Sequence, residues 1–400
     1  MNLCRVTGGG PRSPMRLMGR GWGSTDRGER SEFKPGLRLR QQRRGPRGRG
    51  DKIPAVTRLP TANPLFERIG PDDRAEALGV LLTGRRRAGE AVARPFLEFA
   101  RQHDLDLTHL WMARDGRRDA VAALIIPGVG RTAMLFISPL AAAGSVPLAG
   151  QLIRHAVSQL DFRRVNLVQA LLEPGQDLAR RAAVAGGLTH LAELAYMSCA
   201  GRSRNHTPAV DLDGRPLPAV HWSEADRPGF AHAILESYRD TLDCPGLRGL
   251  RQIDDIIAGH MATGRFDPQR WTLWHAPPSP PSASTLTSTP TPVVTETGDP
   301  PAPTPAAVLL LAASADGPGV ELVYLGVGPE YRRRGLARQI MEVALHHAAD
   351  LDRGDLHLAV DDRNRPAMRL YHRLGFCITA RKTALITAVG PRESHEPNPD

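Results

Sequence analysis

The hydrophobic pattern of the C-terminal half predicts alternating strands and helices. The run G-V-E-L-V-Y-L-G-V (319–327) is apolar on both faces, as a central strand of a sheet requires. Apolar residues from Leu336 to Ala344 then recur at helical spacing, and the short strand D-L-H-L-A-V follows. Asn364 is a suitable N-cap for a further helix, because Pro366 is tolerated in a first turn. The predicted order from Ala219 onward is β-α-α-β-β-β-α-β-α-β-β.

The N-terminal half shows the same order more weakly. H-L-W-M-A-R-D, A-V-A-A-L-I-I-P and A-M-L-F-I-S-P predict three strands, and a helix is expected from Leu148 to Leu160. The strand V-N-L-V-Q-A-L, a helix near 176–185 and closing strands that end at Met197 complete the series. We therefore expect a tandem duplication with diverged halves. The predicted fold class is α/β (α+β mixed sheet), each half being a central mixed β-sheet flanked by helices.

A Pro/Thr/Ser-rich segment at 276–305 interrupts the C-terminal half. It has almost no apolar periodicity, so we expect a disordered or polyproline II-like loop. Such a loop could be a domain boundary or a long insertion in a hairpin. The apolar runs W-T-L-W before it and A-V-L-L-L-A-A after it favour the insertion. The predicted units are a basic tail at 1–60, a first domain at 61–205 and a second domain at 215–390.

The basic charge of the chain is concentrated in its N-terminal tail. Residues 1–50 contain 13 Lys and Arg against 3 Asp and Glu, a net of +10, which equals the formal charge of the whole 400-residue chain. The remainder is neutral, so contact with nucleic acid is expected, if at all, only through the tail and by counterion release. The tail could equally be an inert solvated extension, or could follow from a start codon placed too early.

Cysteine spacing and apolar content indicate the compartment. The four cysteines are far apart and form no CxxC pair, so we expect neither a metal site nor a disulfide framework. The uncharged segment 132–153 is interrupted by two prolines and two glycines, which would break a membrane-spanning helix. We therefore expect a soluble, cytoplasmic protein without a membrane partner, as a monomer or a homodimer.

The segment V-G-P-E-Y-R-R-R-G-L-A (327–337) places three arginines at the start of a predicted helix. Unpaired N–H groups at a helix start bind phosphate oxygens, and Gly335 with the small Ala337 lets a ligand approach the main chain closely. The arginines add charge and forked donors for a ligand with several negative groups. Neither a Walker loop nor a G-x-G-x-x-G fingerprint is present.

Two signatures of this sequence resemble those of the Gcn5-related N-acetyltransferase (GNAT) superfamily. The superfamily's pyrophosphate loop reads V-x-P-x-x-[RQ]-x-x-G-x-[GA], which 327–337 fits. Its second signature appears as N-R-P-A-M-R-L-Y-H-R-L-G-F (364–376). One R-x-x-G-x-A would be a weak signal, but both signatures in this order are specific. They cover about 320–377, and the order of elements extends the resemblance over about 215–390.

The resemblance implies transfer of an acetyl or acyl group from acetyl-coenzyme A to an amine. It implies that main-chain groups near Leu325 and Val327 pair with the pantetheine arm and steady the oxyanion. Tyr371, on one helical face with Asn364, would protonate the departing thiolate, although it could instead be a core aromatic. The cosubstrate would also be bound by Asn364 and by the loop residues Arg332, Arg333, Arg334, Gly335, Leu336 and Ala337.

The proton of the amine needs an acceptor, and the resemblance suggests Glu321. It lies eleven residues before the first of the three arginines, a spacing at which some superfamily members carry a base. It could instead be a strand-edge carboxylate facing solvent. Asp243, Asp254 and Asp255 fall where this fold lines its acceptor site, and they could bind a cationic acceptor or only solvate a helix. His357 is a conceivable base but is more often a buried strand histidine.

The N-terminal half lacks this chemistry. When the second signature is slid onto it, Ala183 stands where Tyr371 is, and the equivalent loop S-P-L-A-A-A-G-S-V-P-L-A-G has no arginine. The first domain is therefore expected to be a degenerate copy with a structural or substrate-shaping role, and 215–390 the catalytic domain. Two other functions stay open, a non-catalytic acyl-CoA-binding scaffold or sensor and polyanion binding through the tail. A small-molecule amine is favoured over a protein as the acceptor, whose identity the sequence does not reveal.

Overall fold

The structure is a computed structural model that describes residues 65–390 with gaps at 86–89, 116–118, 203–208, 211–212, 277–303, 316–317 and 351–353. The predicted basic tail at 1–60 lies outside the described residues, as does almost all of the Pro/Thr/Ser-rich segment.

The described part of the N-terminal half runs from an edge strand to a long closing strand. Its elements in chain order are β1 (Leu65–Arg68), α1 (Arg74–Thr83), α2 (Glu90–Gln102), β2 (Leu110–Asp115), β3 (Asp119–Gly128), β4 (Thr132–Ile137), α3 (Val146–Ser158), β5 (Leu167–Leu172), α4 (Asp177–Ala185) and β6 (Thr189–Ala200).

The described part of the C-terminal half repeats this order. As in the first half, two of its helices lie between its first and second strands. Its elements are β7 (Ala219–His221), α5 (Arg227–Ser237), α6 (Ile253–Met261), β8 (Arg265–His275), β9 (Pro305–Ala313), β10 (Val320–Val327), α7 (Leu336–Asp350), β11 (Asp355–Asp361), α8 (Arg365–Arg373) and β12 (Cys377–Ala388). Strands β8 and β9 are antiparallel and pair up to His275 and Pro305, so the segment between them joins the two strands of a hairpin.

All twelve strands belong to one mixed sheet, which confirms the predicted α/β fold class. The strand order is β1-β2-β3-β4-β5-β12-β6-β11-β10-β9-β8-β7. Its two parallel pairs are β4 with β5 and β10 with β11, and the other pairs are antiparallel. The sequence predicted a central sheet for each half, and the structure joins these two sheets edge to edge.

The two halves exchange their last strands. Strand β12 of the second half lies between β5 and β6, and β6 of the first half lies between β11 and β12. The expected strand pair at the C-terminal end is therefore wrong, because one long strand follows α8. The position beside β11 that such a pair would fill is taken by β6 instead, so no second strand from this half is needed.

Helices cover both faces of the second half of the sheet. On one face, α7 and α8 bury apolar residues such as Ile340 and Met368 against the strands. On the other face, α5 and α6 pack around the fully buried Trp271, whose ring centroid lies 5.0 Å from that of Trp222 and 6.4 Å from that of Phe230. Both layers meet the sheet beside β10 and β11, where the candidate site lies. No helix in the described part of the chain is long and apolar enough to cross a bilayer.

Candidate active site

The candidate site lies where two parallel strands stop pairing. Strands β10 and β11 pair at Val320–Leu356 and Glu321–His357, and their ladder ends there although both strands continue. An irregularity in the pairing of β10 with β9 follows directly, between Leu322 and Tyr324. A cavity of about 950 Å³ opens at this point, lined by both strands, the end of α5, the start of α7, and α8.

Leu325 and Val327 line this cavity on β10. They keep their register with Leu309 and Ala307 of β9, so one edge of the strand stays in the sheet. Because the ladder to β11 has ended, the other edge offers main-chain groups to a ligand. This arrangement fits the predicted contact with an extended arm.

The loop after β10 forms a cradle of main-chain N–H groups. Arg333 and Gly335 both have left-handed backbone conformations, with φ of 62° and 85°. Within the described residues, the N–H groups of 333–337 have no hydrogen-bond partner. Successive N–H groups in such a turn form an anion-binding concavity, and the start of the 15-residue helix α7 adds its dipole.

Arg332 is a structural residue of this loop. Its Nε donates to the carbonyl oxygen of Val327 at 3.0 Å, and its Nη2 donates to that of Ser237 at 2.9 Å. Its Nη1 donates to the carbonyl oxygen of Asp240 at 3.3 Å. The guanidinium therefore joins the loop to the end of α5.

The other residues predicted to bind the cosubstrate differ in how they meet the cavity. The exposed side chain of Arg333 lines it, as do Gly335 and Ala337. Arg334 instead lies with its guanidinium carbon 6.0 Å from the centroid of the Tyr331 ring and is not among the lining residues. Leu336 is buried in the core beneath the loop, so only its main chain could reach a ligand.

Three arginines that the sequence reasoning missed also line the cavity. They are Arg338 on α7 and Arg369 and Arg373 on α8. Arg338 pairs with Glu342 across one helical turn at 3.2 Å. The four-residue spacing of Arg369 and Arg373, on either side of Tyr371, was the signal in the sequence that could have identified them.

Tyr371 lines the cavity from α8, the helix that Asn364 caps. The Ala367 N–H donates to Asn364 Oδ1 at 3.3 Å, which sets the start of this helix, and Asn364 lines the cavity as well. Tyr371 is 7% exposed as a residue, and burial raises its pKa above the usual range, with the charge of Asp243 adding to the effect. Its hydroxyl has no hydrogen-bond partner among the described residues.

Glu321 lies away from this group. It is buried at the last position at which β10 pairs with β11. The Ser314 hydroxyl donates to Glu321 Oε1 there at 3.4 Å. Neither Glu321 nor its register partner His357 is among the residues that line the cavity. Glu321 therefore does not share the cavity lining with Tyr371.

Of the three aspartates considered for an acceptor site, only Asp243 lines the cavity. Its Oδ1 accepts from the Asp361 N–H at 2.9 Å, at the end of β11. Asp254 is exposed and pairs with Arg227 at 2.7 Å, and Asp255 pairs with an arginine of the first half at 3.5 Å. Among the described residues, no cluster of three or more His, Cys, Asp or Glu side chains is placed to hold a metal ion.

The first half of the chain holds α8 at both ends. The Asp362 N–H donates to the carbonyl oxygen of Glu193 on β6 at 2.7 Å, just before the helix begins. At the other end, Arg202 Nη2 donates to the carbonyl oxygen of Leu374 at 2.8 Å. The position of Tyr371 therefore depends on contacts from both halves.

One segment of the chain matches a known family model. Residues 287–376 match the model of the Acetyltransferase (GNAT) family. This match covers less than a quarter of the 400-residue chain and includes both signatures, 327–337 and 364–376. Proteins named mycothiol acetyltransferase are similar over short segments: that of Thermomonospora curvata is 43% identical over 56 residues, 14% of this chain and 19% of the relative. That of Mycobacteroides abscessus is 40% identical over 70 residues, 17% of this chain and 24% of the relative. The chain thus matches less than a quarter of the length of these relatives.

Solved structures of GNAT proteins are similar over more of the chain at low identity. A GCN5-related N-acetyltransferase from Sphaerobacter thermophilus has a TM-score of 0.49 and 16% identity, covering 82% of this chain and 96% of that one. A tandem GNAT protein from the clavulanic acid biosynthesis pathway has a TM-score of 0.37 and 14% identity, covering 82% of this chain and 99% of that one.

In the described part of the chain, the first half has helix contact at the place where the second half has its cavity between α7 and α8. Its corresponding helices, α3 and α4, pack directly on each other. A Cβ at Gly150 would lie 2.7 Å from the Ala185 Cβ, and one at Gly186 would lie 2.6 Å from Ile153 Cγ2. Such close helix contact leaves no room for a ligand between these two helices.

Proposed function

We propose that this protein transfers an acetyl or acyl group from acetyl-coenzyme A to an amine in the cavity between β10 and β11. One observation carries the proposal: a single cavity brings together the N–H cradle of 333–337 and the side chain of Tyr371. The match to the GNAT family model supports this class of reaction, and the similar curated proteins are acetyltransferases by name.

The cavity suits a long thioester with a phosphorylated end. The diphosphate would accept hydrogen bonds from the N–H groups of 333–337, where open space surrounds the position of a Cβ on Gly335. Arg333, Arg369 and Arg373 line the same cavity and would balance the charge of the phosphates. The free edge of β10 at Leu325 would pair with the pantetheine arm.

The proposed reaction is direct attack by the amine on the thioester carbonyl. The acceptor ammonium first loses a proton to a carboxylate or to water, and its nitrogen then forms a bond to the carbonyl carbon. A main-chain N–H near Leu325 or Val327 would stabilise the oxyanion. When the intermediate collapses, the C–S bond breaks and the Tyr371 hydroxyl gives its proton to the departing thiolate. The remaining surplus proton on nitrogen returns to the Tyr371 phenolate, so the products are an amide, a thiol and the one proton released first.

Burial suits Tyr371 to this role. Its pKa is raised by burial and by the charge of Asp243, so the hydroxyl keeps its proton at neutral pH until the thiolate departs. Glu321 stays a prediction as the base, reached through water if it acts at all, because it does not line the cavity.

We extend the proposal to the organisation of the chain. Residues 215–390 would be the catalytic domain and 61–205 a degenerate domain, with the exchanged strands β6 and β12 linking them. The contacts that support this division are those that hold α8 from the first half and the direct packing of α3 on α4. The acceptor would be a small-molecule amine, and a monomer or homodimer remains our expectation.

Calorimetric titration of acetyl-CoA and an assay of thiol release test the proposal on the full chain. We expect saturable binding that weakens in the double variant Arg333→Ala, Arg334→Ala. Tyr371→Phe should keep the affinity and slow thiol release about 100-fold, the lower range for loss of a general acid. Unchanged affinity in the double variant would reject the proposal. Mass spectrometry after incubation with acetyl-CoA and a host metabolite extract would identify the acceptor.

The two alternative functions give different results in the same assays. A non-catalytic scaffold would bind acetyl-CoA and release no thiol with any amine. A polyanion-binding protein would bind nucleic acid with a steep salt dependence that disappears when residues 1–60 are deleted.

A further inference from the structure

Two arginines of α8 line the cavity as neighbouring charges. Arg369 and Arg373 are both exposed, and their four-residue spacing places them next to each other on the helix surface. Among the residues that the structure describes, neither guanidinium has a hydrogen-bond or ion-pair partner. Like charges at this spacing repel each other and destabilise a helix, and a bound anion would relieve that repulsion.

Arg365 shows how the same helix treats an arginine outside the cavity. It lies one turn before Arg369, pairs with Asp362 at 3.8 Å, and is not among the residues that line the cavity. A carboxylate of the protein thus accompanies the arginine outside the cavity, whereas the described residues supply none for the two arginines that line it. This difference within one helix indicates that a ligand brings the anion for Arg369 and Arg373.

The N–H cradle of 333–337 is sufficient for the diphosphate of the donor. A diphosphate that is esterified at both ends carries one negative charge on each phosphorus. The cradle, the dipole of α7 and the exposed Arg333 can bind these charges. Arg369 and Arg373 belong to the other helix of the cavity, so they remain for a further anionic group of the same ligand.

Coenzyme A has such a group in the 3′-phosphate of its ribose. This phosphate is a monoester, so it carries a charge of about −1.5 to −2 at pH 7 and has three strong acceptor oxygens. A guanidinium presents a fork of donors that matches phosphate oxygens. Two guanidiniums on adjacent helical turns therefore match a phosphate monoester in both charge and hydrogen bonding.

We infer that Arg369 and Arg373 form a binding site for the 3′-phosphate of the donor, separate from the cradle that binds its diphosphate. The inference rests on the proposed function and names the donor class for the same site. The protein therefore selects coenzyme A thioesters over donors that share the pantetheine arm but lack the 3′-phosphate. No step of the proposed acyl transfer uses this phosphate, so the site contributes to binding of the donor and not to the chemical step.

Calorimetric titration of the full-length protein with coenzyme A and with 3′-dephospho-coenzyme A tests this inference. The two ligands differ only in the 3′-phosphate. We expect the wild type to bind coenzyme A at least about tenfold more tightly, since a hydrogen bond to a charged group is strong enough for a change of that size. The ratio of the two affinities should fall as the ionic strength rises, because exposed charges are screened by salt.

Variants separate the two phosphate sites. The double variant Arg369→Ala, Arg373→Ala should bring the two affinities to within about twofold of each other, because it removes the charged partners of the 3′-phosphate. Arg333→Ala should weaken the binding of both ligands and keep their ratio, because its charge belongs to the diphosphate site. Arg365→Ala is the matched control on the same helix and should keep both affinities, since it lies outside the cavity lining.

Arg369→Lys, Arg373→Lys keeps the charges without the forked donors, and we expect it to recover part of the ratio. Circular dichroism would confirm that each variant is folded, and alanine is a favourable residue at exposed helix positions.

Equal binding of the two ligands by the wild type would overturn the inference, as would a ratio that survives in the double alanine variant. A ratio lost in Arg333→Ala instead would assign the 3′-phosphate to the cradle and would also overturn it. The proposed function fails separately. It is rejected if the wild type binds neither ligand, whereas a wild type that binds both equally rejects only the 3′-phosphate site.

Discussion

The Nη2 atom of Arg332 donates to the main-chain carbonyl oxygen of Ser237 at 2.9 Å, across the mouth of the cavity. Ser237 is the last residue of α5. This bond therefore joins the loop after β10 to the helix that leads to Asp243. Two adjacent arginines of the loop thus have different roles. Arg332 holds the loop, whereas Arg333 is exposed and lines the cavity.

Replacing these two arginines should separate stability from binding. Arg332→Ala leaves three carbonyl oxygens without their donor, and we expect the free energy of unfolding to fall by about 1–2 kcal/mol, after allowance for screening at a half-buried site. Arg333→Ala should leave stability within about 0.5 kcal/mol and weaken acetyl-CoA binding about tenfold. Urea denaturation and calorimetric titration measure the two effects. A larger loss of stability in Arg333→Ala than in Arg332→Ala would contradict this division.

Gly335 offers a test of the N–H cradle itself. Its φ is 85° and a Cβ there would meet no heavy atom within 4 Å, so Gly335→Ala imposes backbone strain without a clash in the protein. Gly175 in the first half has a φ of 89° and equally open surroundings, and it lies outside the cavity. Each alanine should destabilise the fold by about 1–2 kcal/mol.

Only Gly335→Ala should also weaken acetyl-CoA binding, because its methyl group would occupy the space next to the N–H groups. Thermal denaturation and titration of both variants against the wild type provide the comparison. If Gly175→Ala lost the same affinity, the effect would come from general destabilisation and the cradle would not be supported.

Much of the fold could be predicted because its signals are local. The helix expected to start at Leu336 is α7, Leu336–Asp350, and the helix expected at 148–160 is α3, Val146–Ser158. Apolar periodicity and a capping asparagine act within a few residues, so the sequence contains them directly. The helices α1 and α2 were not predicted, and α2 contains Pro95, a residue that normally argues against a helix interior.

The strand exchange could not be predicted, because it depends on pairing between distant segments. Cys377 pairs with Ser198, and Ala388 pairs with Leu167. Either half could have closed its own sheet with the same alternation of apolar residues, so the pattern does not choose between the two arrangements.

The candidate site, like the fold, could be predicted from the sequence only in part. The two signatures predicted that the 327–337 loop and Tyr371 would act together, and the structure brings both to one cavity. The separate role of Arg332, the place of Asp243 and the absence of Glu321 from the cavity lining depend on where the end of α5 meets β10 and β11. No local pattern in the chain contains that information.

His260 predicts how stability responds to acid. Burial, with the charge of Arg251 adding, lowers its pKa well below the usual value. The folded protein therefore keeps His260 neutral below pH 6.5, where the unfolded chain binds a proton. The free energy of unfolding should fall as pH decreases from about 6.5, with a contribution of about 1.4 kcal/mol per pH unit from this residue.

Urea denaturation between pH 5 and pH 8 would show this contribution as a difference in slope between variants. His260→Gln should lose the acid-dependent fall below about pH 6.5, whatever its overall stability. His232→Gln, which changes an exposed histidine of α5, should keep the wild-type slope. Parallel curves for the wild type and His260→Gln would show that His260 takes up its proton in the folded state.

The packing of α3 on α4 predicts a single cosubstrate site in each chain. Calorimetric titration should give one acetyl-CoA per chain, because the first half has helix contact where the second half has a cavity.

Gly150→Ala would place a Cβ 2.7 Å from that of Ala185, so we expect the free energy of unfolding to fall by about 1 kcal/mol even though alanine is the better helix residue. Gly144→Ala, just before α3 and with no heavy atom within 4 Å, should change stability by less than about 0.5 kcal/mol. Neither change should alter acetyl-CoA affinity. Two bound molecules per chain, or weaker binding in Gly150→Ala at equal folded fraction, would show that the first half takes part in binding the cosubstrate.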